Sequence, residues 1–302
     1  MTQSDGRQRR PRARRDEPHT DGDGLTRRAL LGVLGGASLA GLGGWRLAQY
    51  ALRVEPRQLQ VSAVTVAAPL TAPVRLAFIS DLHVGPHVDI AWVRQVIATV
   101  NAQQVDLVLL GGDYVTASTA GMPALAEALA GLRSRLGAYA VLGNHDYWTD
   151  ADVVVRWLGQ AGVTVLVNAG AELATAGGPL HLAGLDDAWQ GRPDAVQAMA
   201  GRRVGVPTVL LQHEPDPAAL RADDERLLLQ LAGHTHGGQV RLPGIGALVL
   251  PPYGKRYVAG LYPLGRSQLY VTRGIGVTAP PVRLNCPPEL TLITLAPREA
   301  HL

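Results

Sequence analysis

The stretch 233-Gly-His-Thr-His-Gly-Gly-Gln-239 decides the reading of this chain. His234 and His236 are one residue apart. In an extended backbone, side chains at i and i+2 point the same way, so both imidazoles can reach one spot. The flanking glycines let the backbone turn sharply beside them. The apolar run Leu227 to Ala232 precedes the pair and reads as a buried strand that delivers it to a sheet edge.

Working outward, four other apolar runs end in residues of metal-ligand type. Val74 to Ser80 runs into Asp81 and His83. Leu107 to Leu110 ends at Gly111-Gly112-Asp113. Ala138 to Leu142 ends at Gly143-Asn144-His145-Asp146, and Thr208 to Gln212 ends at His213. Five of the nine histidines fall in these five places. Ligands of open α/β sheets bind beyond the carboxyl ends of strands, which is where these residues lie. Carboxylates, imidazoles and an amide suit Zn, Mn or Fe ions. Seven candidate ligands (Asp81, His83, Asp113, Asn144, His213, His234, His236) exceed one tetrahedral ion. They suit two divalent ions ~3.5–4 Å apart, bridged by one carboxylate.

Between the strands lie helical signals. Asp89 can cap a helix from Ile90 to Asn101. Pro123 to Leu136 reads as a helix stopped by Gly137, and Thr149 can cap another that runs to Ala161 and stops at Gly162. Strands are also read at Leu59 to Val66, Val163 to Val167, Leu180 to Leu185, near Leu248 to Leu250, at Leu269 to Thr272 and at Leu290 to Leu295. Strands alternating with helices give an α/β fold, with strands dominating the second half. His181, at the start of a strand, is read as a surface residue.

The chain has 302 residues, 47% hydrophobic and 18% charged, enough for one large domain. Residues 1–28 carry eight arginines against five acids, so the net +3 belongs to the tail and the rest is neutral. No basic stripe argues for nucleic acid. Residues 1–24 are polar and read as disordered. Paired Arg27 and Arg28 then precede a Gly- and Ala-rich stretch to Trp45. This resembles a twin-arginine export signal, cleaved or retained as an anchor at the cell envelope membrane, with the catalytic domain outside the cytoplasm. The single cysteine, Cys286, forms no intramolecular disulfide and reads as a buried, inert thiol.

Taken together, Asp81-x-His83, Gly112-Asp113, Gly143-Asn144-His145-Asp146, His213 and Gly233-His234-x-His236 resemble the calcineurin-like metallophosphoesterases over residues 59–297. Gly237-Gly238-Gln239, Pro251-Pro252-Tyr253-Gly254-Lys255 and the export signal resemble the YkuE-like envelope branch. The resemblance implies a four-layer α/β/β/α sandwich with two mixed sheets. It implies a phosphoesterase in which Asp81, His83 and His236 hold one ion, Asn144, His213 and His234 the other, and Asp113 bridges. A hydroxide between the ions would attack phosphorus. His145 would stand over the phosphoryl group as a catalytic residue, and Asp146 would orient His145. Substrates in prospect are phosphomonoesters, phosphodiesters or pyrophosphates, including envelope or lipid-linked ones. The alternative is a non-catalytic metal-binding scaffold.

Many members of that family follow the bridging aspartate with Asp and Arg, where this chain has Tyr114-Val115-Thr116. Phosphate contacts must then come from elsewhere, with Tyr253, Lys255, Arg256 and Arg241 as the candidates.

Overall fold

Strand β2 (Val74–Ile79) shows how the architecture arises. Its alternate side chains Leu76 and Phe78 enter one apolar core, while Ala77 and Ile79 enter another. A strand buried on both faces needs a layer on each side. The computed structural model describes residues 41–298, and it supplies both layers.

Six strands form the first sheet in the order β1 (Gln60–Ala68), β14 (Glu289–Pro297), β2, β3 (Leu107–Leu110), β4 (Ala138–Ala140), β5 (Val163–Val165). β14 is antiparallel to β2, and the other pairings are parallel. The second sheet runs β12 (Gly260–Leu264), β13 (Ser267–Val271), β9 (Leu227–Ala232), β8 (Thr208–Leu211), β7 (Gly178–Gly184), β6 (Ala169–Thr175). Only its two edge pairings are antiparallel. Both sheets are therefore mixed. A small hairpin, β10 (Arg241–Leu242) with β11 (Gly246–Ala247), stands apart.

The sheets pack face to face. Leu76, Phe78 and Leu109 of the first meet Leu182, Val209 and Leu231 of the second in one buried cluster. On the outer face of the first sheet lie α1 (Ile90–Ala102), α2 (Met122–Leu129) and α4 (Ala151–Gln160), inserting residues such as Val93, Leu125 and Val154. The outer face of the second sheet is covered thinly, by the turn of helix α5 (Ala195–Ala198) and a 3₁₀ segment, Asp216–Arg221. The four layers are present, the last reduced to short pieces.

Asp89 caps α1, accepting from Trp92 N at 2.8 Å. Four sequence expectations need correction. The second helix stops at Leu129 rather than Leu136. Gly131 follows, and Asn101 ties the turn down by binding Gly131 O and Arg133 N. Asp150, not Thr149, caps α4, accepting from Val153 N, while the Thr149 hydroxyl closes the short helix α3 (Asn144–Thr149) on the carbonyls of His145 and Asp146. No strand forms at 248–250, where Val249 is exposed, and the pairing falls at Gly246–Ala247. His181 is buried rather than surface.

Arg283 is a fully buried charge. It donates to the carbonyls of Arg273, Gly274, Gly276 and Cys286, which shapes the segment 273–286. That segment binds the first strand end, through Ile275 N to Ser80 O at 3.0 Å and Gly276 N to Asp81 O at 2.7 Å.

Residues from Leu47 onward cluster as one unit. The basic tail and the paired arginines at 27 and 28 lie outside the described residues. Among the described residues, no helix is long and apolar enough to cross a membrane.

Candidate metal centre

The carboxyl ends of β2, β3 and β4 meet those of β8 and β9 along one edge of the sandwich. Each candidate ligand sits just past its strand, where the chain must turn. Asp81, His83, Asp113, His234 and His236 all have positive φ, between 48° and 69°. Non-glycine residues rarely hold this conformation, and it persists only where the surroundings impose it. The imposition here is visible. Asp81 N donates to Gly112 O at 2.9 Å and His83 N to Asp113 O at 3.0 Å, stitching two strand ends together. His234 N donates to the Asp81 carboxylate at 3.0 Å, joining the two sheets. Gly143 is required for approach: a Cβ there would overlap the Asp113 carboxylate and come 2.8 Å from His213 Nε2.

The resulting geometry has three clusters, of which His83, Asp113 and His145 form the one that links the other two. Asp81, His83 and His236 bring one ligand atom each together, and so do Asp113, His213 and His234. His83 Nε2 and His236 Nε2 are 3.0 Å apart. Asp113 Oδ2 lies between the clusters, 3.4 Å from His83 Nε2 and 3.2 Å from His213 Nε2. Its other oxygen accepts from His145 N at 2.9 Å, which fixes the carboxylate. Asp81 Oδ1 is 3.4 Å from His236 Nε2 and 3.9 Å from His213 Nε2.

The donor chemistry fits divalent ions. Asn144 Oδ1 and His213 Nε2 are buried with no hydrogen-bond partner, although His213 Nε2 sits so near Asp113. Buried polar atoms are normally paired, and an orphan imidazole nitrogen 3.2 Å from the Asp113 carboxylate fits a divalent cation held there. The distal ring nitrogens are anchored: His213 Nδ1 on Gly111 O at 2.7 Å, His234 Nε2 on Pro252 O at 2.8 Å. Such anchoring fixes which nitrogen faces the centre.

Burial holds His83 down to about 3 and His234 down to about 4, the latter helped by His213, so both are neutral imidazoles at neutral pH. Burial also depresses His236, aided by His83. Burial opposes charge on Asp113, but His213 outweighs it and holds the carboxyl below its usual range. Burial likewise opposes charge on His213, but Asp113 and Asp81 raise it well above the ordinary value. The centre thus draws positive charge to the point between the two carboxylates.

His145 stands at the rim, half-buried and edge-on to His83, with ring centroids 4.7 Å apart. Its Nδ1 bonds Thr116 O at 2.7 Å, which leaves Nε2 free. Asp146 therefore does not orient that ring. Its carboxylate accepts from Asp113 N, Tyr114 N and Gly143 N, each at 2.9 Å, and so holds two strand ends in register. Tyr114 is core, its hydroxyl bonded to Val141 O.

The four candidate substrate residues divide. Tyr253 is exposed and its ring lies 6.4 Å from that of Trp189. Lys255 N and Arg256 N both bind the Asp216 carboxylate, and the Arg256 guanidinium lies over Tyr257. Arg241 donates to Gly237 O and lines a cavity of about 370 Å³ that contains none of the candidate ligands. Sequence reasoning missed Trp148 and Trp189, which border His145 and His234. The signal was available: Asp186-Asp187-Ala188-Trp189 follows β7, another strand pointing at this edge.

The family model for calcineurin-like phosphoesterase matches residues 74–238. The chain is 33% identical over 276 residues to the uncharacterized metallophosphoesterase YkuE of Bacillus subtilis, covering 89% of this chain and 95% of that one. It is 37% identical over 231 residues to phosphodiesterase YaeI of Escherichia coli, covering 74% and 83%. Among solved structures, the NAD nucleotidase of Haemophilus influenzae aligns with a TM-score of 0.47 at 15% identity, covering 67% of this chain and 45% of that one.

Proposed function

The chain belongs to the calcineurin-like phosphoesterase family, a metal-dependent phosphoester hydrolase fold, and on that premise we propose that it hydrolyses phosphodiesters at a two-ion centre. The observation that carries this reading is the placement of Asp113 Oδ2 between His83 and His213, a carboxylate oxygen shared by two ligand clusters. Asp81, His83 and His236 would hold one ion and Asn144, His213 and His234 the other, with the Asp113 carboxylate available to both. When bound, the ions lower the pKa of a water nucleophile and polarise the phosphoryl oxygens.

The residues of the chain do the rest. The Asp113 carboxylate and the neutral imidazoles set the charge of the centre. His145, anchored at Nδ1, presents Nε2 to the phosphoryl group, where a proton can stabilise developing charge and pass to the leaving oxygen. Asp146 positions the loops. The phosphodiester class is favoured by the likeness to YaeI. Monoesters and pyrophosphates are the neighbouring substrates to be compared with it. Mn, Zn and Fe all match the donor set.

The test is turnover of bis(p-nitrophenyl) phosphate, p-nitrophenyl phosphate and a nucleotide pyrophosphate by protein loaded with Mn²⁺. Hydrolysis of the diester with the best kcat/KM supports the reading. No turnover of any of the three by a folded, metal-loaded chain refutes it and favours the binding-scaffold alternative.

We also propose export to the cell envelope. The support is the sequence Arg27-Arg28 before a weakly apolar stretch. A reporter fused after residue 50 tests it: replacing both arginines by lysine should abolish export, and undiminished export would count against the twin-arginine route.

A further inference from the structure

The centre is bordered on one side by aromatic rings. Trp148 packs edge-on to His145, ring centroids 4.6 Å apart. Trp189 follows at 5.1 Å from Trp148. Trp189 in turn stands 6.0 Å from His234 and 6.4 Å from Tyr253. The rings form an arc from the proposed acid to the second ligand cluster. In each edge-to-face contact the edge of one ring covers one face of its neighbour, which leaves the opposite face for a partner. Trp148 and Tyr253 are 49% and 45% exposed, so the arc faces solvent instead of filling a core.

The arc is also held in place. Trp148 rides on α3, the helix that begins at the ligand Asn144. The Trp189 loop is gripped by two buried acids: Asp187 accepts from Trp189 N and Gln190 N, and Glu214 accepts from Ala188 N. Glu214 directly follows the ligand His213. The arc and the centre are thus built on the same backbone, and preorganised rings cost less to bind against.

We propose that this arc is the subsite for a planar aromatic ester substituent of the substrate, a nucleobase or an aryl ring. The inference rests on the phosphoester reading. Trp148 borders His145 and Trp189 borders His234, so a phosphoryl group held between these two histidines would have both rings at its flank. Open ring faces reward a flat π-system, which stacks without base-specific hydrogen bonds.

The test is competition against bis(p-nitrophenyl) phosphate turnover, using full-length Mn²⁺-loaded protein and four competitors: AMP, phenyl phosphate, cyclohexyl phosphate and methyl phosphate. AMP and phenyl phosphate should bind at least about tenfold more tightly than methyl phosphate, the scale of one stacked ring. Trp148→Ala and Trp189→Ala should each shrink that ratio about fivefold or more, while Trp148→Phe and Trp189→Phe retain most of it. AMP and phenyl phosphate separate the nucleobase from the aryl source. A wild-type ratio near one, an unchanged ratio in both alanine variants, or cyclohexyl phosphate binding as tightly as phenyl phosphate overturns the subsite. Absence of bis(p-nitrophenyl) phosphate turnover by the folded, Mn²⁺-loaded wild type overturns the phosphoester reading beneath it.

Discussion

Gly143→Ala isolates the role of close packing at the centre. Gly143 has φ −118° and ψ 174°, a conformation alanine adopts freely, so the backbone accepts the change. The cost is steric. The new Cβ would overlap an Asp113 carboxylate oxygen and lie 2.8 Å from both Asp113 N and His213 Nε2. Ordinary contact begins at 3.4 Å, so Asp113 and His213 must each retreat by at least about 0.6 Å. Both are ligands of the proposed second ion, and Asp113 is the bridge. A misplacement approaching 1 Å costs on the order of 10²-fold in rate. The assay is steady-state hydrolysis of bis(p-nitrophenyl) phosphate with excess Mn²⁺, beside a thermal melt. We expect kcat/KM to fall about 100-fold, with an intact fold. Gly159→Ala is the control: it lies in α4 with nothing within 4 Å of the added methyl. It should leave turnover unchanged and stabilise by roughly 0.5–1 kcal/mol. Wild-type turnover and metal content in Gly143→Ala would refute the packing argument.

His145→Ala should lower kcat by about 10²–10⁴-fold, the range of a lost general acid, while elemental analysis shows the metal content intact. Arg283→Met strips the donors from four buried carbonyls, each worth about 1–3 kcal/mol when orphaned, so the melting temperature should drop by roughly 10 °C or more. Asp89→Ala removes the α1 cap and should cost about 1 kcal/mol at pH 7 in urea melts. The Trp92 N–H and Arg57 hold the Asp89 carboxyl below its usual value against slight burial. Its stabilisation is therefore present above the unfolded pKa of about 3.9 and lost as pH falls through the lower folded value. The gap between wild type and Asp89→Ala should close in that acid range.

The candidate ligands were legible in the sequence because each follows a continuous apolar run, and parallel strands bring such ends to one edge. β3 and β9 read cleanly for the same reason: four and six largely apolar residues bounded by polar turns. β6, Ala169–Thr175, did not, since alanine and glycine leave little hydrophobic pattern. α2 was read too long because Ala and Leu continue past Leu129, while the turn is set by Asn101 about 30 residues away. Asp146 was misread for a similar reason. Its neighbour in sequence is His145, but its hydrogen bonds go to Asp113 and Tyr114. Arg283 gave no signal at all, because its partners are backbone carbonyls that every residue carries. The aromatic arc joins Trp148 of α3 to Trp189 and Tyr253 of two separate loops, and exists only in three dimensions.

The central claim is a two-ion centre bridged by Asp113. Titrating metal-free protein with Mn²⁺ while following diester turnover tests it most directly. Activity should rise until two equivalents per chain are bound and then stay level, and Asp113→Asn should bind fewer and remain inactive. Full activity at one equivalent, or undiminished activity without metal, would contradict it.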